Sequence, residues 1–172
     1  MLKNQQGWRA YFDVSRSGIL FSFSGLVIGL PALFIWIYAA DYLARQVPDY
    51  SMQALSWVDI TIIWARIWFL FPIVSAVVVR VLRLPSHYGP WLVVHNWTIL
   101  LLIHIPTFFY LLAMLGLIGI ETVSVFVLMY LGLRLLVHWR VAVAALGISP
   151  GLAVAAAGIP MAVDWILIQL LL

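Results

Sequence analysis

The chain has 172 residues, of which 66% are hydrophobic and 9% charged, whereas soluble domains average about 45 to 50% and about 25%. A chain this short has too little interior to hide so much apolar side chain, which excludes an ordinary water-soluble fold and makes lipid the solvent. The formal charge of +3 is not a nucleic-acid signal, because Arg80, Arg83, Arg134 and Arg140 flank or end apolar runs as membrane-surface charges do. The lack of cysteine excludes disulfides, iron–sulfur ligation and thiol catalysis.

Residues 1–16 are predicted to be a cytoplasmic interfacial segment. Trp8, Tyr11 and Phe12 alternate there with Arg9, Asp13 and Arg16, which suits a short helix lying in the membrane surface, with a frayed tail as the other reading. The first span is expected at 17–40. It is longer than the about 7 to 15 apolar residues of a signal-peptide core, and Tyr38-Ala39-Ala40 is a poor cleavage site, so it is expected to be retained. Residues 41–59 form the longest loop, and Tyr42, Leu43, Tyr50, Met52, Leu55 and Trp57 place it against the outer membrane surface.

The second span is expected at 60–83, ended by Pro85-Ser86-His87-Tyr88-Gly89-Pro90, whose prolines forbid helix and whose glycine permits a turn. The third follows at 91–116, Gly116 and Gly119 mark the next break, and the fourth runs over 121–146. At the last break Gly147 suits a helix C-cap, Ser149 an N-cap and Pro150 a first helical position, opening a fifth span at 150–172. Each span is near the roughly 20 residues that a hydrocarbon core requires. The expected fold is therefore all-α: a polytopic membrane bundle of five transmembrane helices over residues 17–172.

Loop charges orient it. Lys3, Arg9 and Arg16 precede the first span, Arg80, Arg83 and His87 surround the second loop, and Arg134, His138 and Arg140 crowd the fourth. The alternate loops carry Asp41, Asp49, Asp59 and Glu121, with Arg45 as their one cation. The positive-inside bias places the N-terminus in the cytoplasm and the C-terminus outside.

Two charges fall within spans. Arg66 and Asp164 sit roughly 9 and 12 Å from the outer ends of their helices, so opposite charges at one depth are expected to pair across the second and fifth spans. The pair can register two helices or serve as a proton or ion site; the third reading has Arg66 snorkelling outward alone. Helical phase sets Trp64, Trp68 and Phe71 against Arg66, Ile73, Val77 and Arg80, which predicts an aromatic face toward lipid and an arginine face toward protein. On the fifth span Gly151, Ala155, Gly158 and Ala162 form a small-residue packing stripe, with Asp164 nearly opposite.

A separate cytoplasmic-side cluster is expected from Arg80, His95, Asn96, Arg134 and His138. It can tie helix ends together or take an anionic lipid headgroup, and haem or metal ligation by His95 and His138 is the third reading. His104 lies nine residues from His95, on the opposite face of the same helix, and cannot join it. Prolines 31, 72, 106 and 160 are expected to interrupt and kink four of the five spans.

Five helices with the N-terminus inside, His95-Asn96-Trp97 opening the third, and Trp139-Arg140-Val141-Ala142 followed by Ala145-Leu146-Gly147-Ile148-Ser149 resemble small uncharacterised alphaproteobacterial membrane proteins. Those are similar in layout to the Yip-domain family. The resemblance covers most of the chain and implies a five-helix bundle without an established enzymatic activity, an adaptor that holds other membrane proteins. The soluble N-terminal region of the eukaryotic members has no counterpart here, so their trafficking role does not come with it. The function expected is a non-enzymatic scaffold or accessory subunit of the bacterial inner membrane, with no catalytic residues, metal or cofactor. Its partners would be lipids and other integral membrane proteins or further copies of itself, not nucleic acid. The alternatives are a small proton- or ion-linked transporter using Arg66, Asp164 and His104, and a haem or quinone redox subunit.

Overall fold

A computed structural model describes residues 7–46 and 56–171. Lys3, Asp49, Tyr50, Met52 and Leu55, all used in the sequence reading, lie outside the described residues. The described chain is helical without strands, and five of its segments are long and apolar enough to cross a membrane: Arg16–Ala44, Trp57–Val81, Pro85–Met114, Ile120–Leu146 and Pro150–Leu170.

The first of these is three helices, α1 (Arg16–Ser22), α2 (Gly25–Ile28) and α3 (Leu30–Ala44). Ser15 caps α1 by accepting from the Gly18 amide at 3.2 Å. Hydrogen bonding from the Ser15 side chain first, and then from the Ser15 amide, which donates to Asp13 at 2.9 Å, holds the exposed Asp13 carboxyl below the usual carboxylate range. Ahead of α1, Trp8 and Phe12 fold back onto the apolar core, Trp8 within a single 3-10 turn at Trp8–Tyr11. Pro31 sits in the first turn of α3, where its missing amide costs nothing.

α4 (Trp57–Val81) starts with a reciprocal cap: Ser56 Oγ accepts from the Asp59 amide and Asp59 accepts from the Ser56 amide at 2.8 Å. That box moves the start three residues ahead of the expected one. α5 (Tyr88–Met114) likewise begins inside the segment expected to forbid helix, because Pro90 falls in its first turn, where amides have no helical partner. α6 (Ile120–Leu146) ends on Gly147 in the left-handed region, φ 65°, and α7 (Pro150–Leu171) follows with the Leu152 amide on Ser149 Oγ at 3.4 Å. Pro72, Pro106 and Pro160 lie within continuous helices, so the expected interruption is found only in the first span. Near Pro106, the Thr107 hydroxyl reaches the carbonyls of Ile103 at 2.8 Å and Ala32 at 3.1 Å, binding α5 to α3.

α5 is the hub. It packs on α1, α2, α3, α4 and α6, while α7 lies against α4 and α6. One apolar core gathers the Pro85/Gly147 end of the bundle around Trp91, Ala142, Ala145, Ala153 and Ala157; a second fills the middle; a third joins Leu43, Ala113 and Val123 at the far end. Leu43 thus belongs to a buried helix end, not to a surface loop.

The faces of α4 differ from the expected ones in part: Arg66 turns toward Asp164 on α7, but the aromatic residues are buried as well. Trp64, Trp68 and Phe71 are buried, whereas Ile73, Val77 and Arg80 are exposed. The reason lies on the first span, where Gly25 and Gly29 leave space for the two indoles. A Cβ on Gly25 would stand 2.5 Å from Trp68 Cη2, and one on Gly29 would stand 3.0 Å from Trp64 Cη2. Small residues let a helix and a large aromatic approach without a hydrophobic driving force between them. Gly25→Ala is therefore expected to cost about 1 to 3 kcal/mol by overpacking. Gly132→Ala on α6, which has open space around it, should be neutral or gain up to about 1 kcal/mol from helix propensity. Thermal unfolding in mild detergent, followed by tryptophan fluorescence, checks the contrast.

Candidate functional site

Four helices each bring ionisable groups to one place. α4 supplies Arg66, α5 His95, α6 both Arg134 and His138 one turn apart, and α7 Asp164. Counted from the Pro85/Gly147 end at 1.5 Å per residue, His95, His138, Arg134, Asp164 and Arg66 lie roughly 10, 12, 18, 21 and 22 Å deep. They form a ladder from about a third of the way along the bundle, counted from the Pro85/Gly147 end, to just past its middle.

At the top of the ladder Asp164 is shared. One carboxylate oxygen accepts from Arg66 Nη1, and the other accepts from Arg134 Nη2 at 3.2 Å. The Asp164 and Arg66 side chains are 11% and 13% exposed, and Arg134 25%. A lone charge at the bilayer centre costs at least about 2.5 to 3.5 kcal/mol, so the carboxylate stabilises both guanidiniums. Two cations against one anion nevertheless leave a surplus positive charge at mid-span.

Below, the His95 ring stacks flat on Phe71, centroids 3.3 Å apart at 3°, and the His138 ring lies 4.9 Å from His95. Arg66, Phe71, His95, Arg134, His138 and Asp164 line a cavity of about 30 Å³. Both ring nitrogens of His138 and Nε of Arg134 are buried without a hydrogen-bond partner among the described groups, and such orphans ordinarily imply an occupant.

The structure regroups the expected residues. Arg134, His95 and His138 stand at the Arg66–Asp164 pair, not in a separate cytoplasmic cluster. Arg80 is exposed and outside the site. Asn96 is on another face, donating to Ser22 Oγ at 2.9 Å and so fastening α1 to α5. His104 is exposed, with Nδ1 2.7 Å from the Leu100 carbonyl in the preceding turn, and takes no part. Gly151, Ala155 and Ala162 face outward and Gly158 is half-buried, while Ala153, Ala156, Ala157 and Pro160 make the inner face of α7 with Asp164. With ring centroids 4.9 Å apart, His95 and His138 stand too close to admit a haem between them, and no group of three metal-ligating side chains converges among the described residues.

Sequence reasoning missed Arg134 as the second partner of Asp164, although the signal was present. Arg134 precedes and Asp164 follows the Gly147–Ser149 turn by nearly equal lengths of helix, which puts them side by side in a hairpin. No protein family, curated protein or solved structure matches the chain.

Sharing of Asp164 sets an order among variants. Asp164→Leu orphans two guanidiniums and should destabilise most, on the scale of the about 3 to 5 kcal/mol seen for broken buried pairs in soluble proteins, reduced in a membrane by snorkelling. Arg66→Leu leaves Arg134 as counter-charge and should lose less. The triple leucine variant should recover much of the loss, because apolar groups need no partner in hydrocarbon. Equal losses for Arg66→Leu and Asp164→Leu in detergent unfolding would contradict the two-on-one arrangement.

Proposed function

We propose that this multi-pass membrane protein is a non-enzymatic scaffold or accessory subunit of the cytoplasmic membrane of a bacterium, N-terminus inside and C-terminus outside, acting by helix and lipid contacts within the bilayer. The observation that carries the reading is the state of α6. No residue from 124 to 137 is buried, yet this stretch holds Arg134, at the centre of the helix and a quarter exposed. A charged side chain a quarter open to hydrocarbon at that depth calls for cover. The outward stripe Gly151, Ala155 and Ala162 on the adjacent α7 offers close approach to a further helix. Another integral membrane protein or a second copy of the chain supplies both. The five-helix count and the charge pattern of the loops are also what the Yip-domain layout and the positive-inside orientation require.

Ion- or proton-linked transport is the second reading, favoured by the polar cavity at Asp164. His104 drops out of it, and Arg66, Arg134, Asp164, His95 and His138 remain as its residues. Proteoliposome flux that disappears in Asp164→Asn would move the assignment to transport.

Purification from native membranes in mild detergent, followed by intact-complex mass analysis, tests the scaffold. The expected species is heavier than the 19.4 kDa chain; a monodisperse monomer overturns the reading. For orientation, the cysteine-free sequence permits single additions. Ser86→Cys and Ser149→Cys should react only from the cytoplasm and Ser51→Cys only from outside, and reversed labelling at any of them breaks the topology.

A further inference from the structure

We propose that the cavity between α4, α5, α6 and α7 is a binding site for a small monovalent inorganic anion of chloride size. Three observations converge. The site carries one more guanidinium than carboxylate, so it is cationic in a setting where an unpaired charge is costly. It has room: about 30 Å³ exceeds the roughly 10 to 15 Å³ that one water needs. It also presents unused polar atoms. His138 is 5% exposed, lines the cavity, and has no partner on either ring nitrogen. One of those nitrogens is a donor in the neutral ring, and Arg134 Nε, equally unpartnered, is a second.

Water would satisfy the hydrogen bonds and leave the charge. An anion does both. Its one acidic neighbour among the lining residues is Asp164, and both of that carboxylate's oxygens already accept from guanidiniums, which blunts the repulsion. The remaining walls, Phe71, Ile99, Ala157 and Pro160 among them, are apolar. They exclude large hydrated ions and favour one that sheds its water readily. The small cavity favours chloride and bromide over the bulkier, doubly charged sulfate or a phosphate headgroup. The inference does not depend on the scaffold reading, because an ion bound here holds four helices together whatever the bundle does.

The test uses the full chain in detergent, exchanged into sodium gluconate and titrated with sodium chloride at constant ionic strength. The thermal midpoint should rise along a saturating curve, as it does for any ligand that binds only the folded state. Bromide should replace chloride, and sulfate should not. Arg134→Gln removes the surplus charge and should weaken the chloride response by at least about tenfold. Should that variant fail to fold, radiolabelled chloride in equilibrium dialysis on the unaltered protein decides: about one ion per chain is expected, displaced by bromide. No saturable retention overturns the site. So does a chloride response that Arg134→Gln leaves unchanged, which would place the ion elsewhere.

Discussion

A carboxylate in hydrocarbon needs a counter-charge, and Asp164 has two, one on each neighbouring helix. That sharing fixes the relative depth of α4, α6 and α7, since each guanidinium is tethered near mid-helix and cannot slide a turn without losing its partner. The apolar contacts around it have no comparable register. Alanines of α6 and α7 meet alanines, and a row of small residues packs nearly as well one step along. Polar pairing supplies specificity where lipid removes the hydrophobic drive for helices to associate.

α5 works differently. It is the span with the most buried residues, and its polar groups are spent on local attachments: Asn96 to Ser22 on α1, and Thr107 to the carbonyl of Ala32 on α3. Together with the tryptophans seated on Gly25 and Gly29, these make α1 to α5 one block. α6 and α7 form a hairpin closed by Gly147 and by Trp139 Nε1 donating to the Pro150 carbonyl at 2.8 Å. The polar cavity lies on the seam between block and hairpin, which is where ligand sites gather in helix bundles.

The sequence discloses spans well, because hydropathy and end signals such as Gly147-Ile148-Ser149-Pro150 act locally. It discloses faces poorly. Trp64 and Trp68 read as lipid-facing because aromatic stripes commonly are, and only the glycines two spans' length earlier in the chain reveal that the indoles point inward. The site was half legible. Opposite charges at matched depth point to Arg66 and Asp164, whereas Arg134 and His138 read as surface cations because they share a run of positive residues with Arg140 near the helix end. They sit about three and two turns inside the helix. Arg134 is bound to the same carboxylate.

The three charges are far apart in the chain: Asp164 follows Arg66 by 98 residues and Arg134 by 30. Synthesis proceeds from the N-terminus, so both arginines reach the membrane before the acid that neutralises them has been made. Until α7 is inserted, the nascent bundle holds two unpaired cations that hydrocarbon rejects. The insertion of α7 is thus the step that renders these earlier helices acceptable to the bilayer. A chain interrupted before it would leave two bare guanidiniums in hydrocarbon, each without its counter-charge.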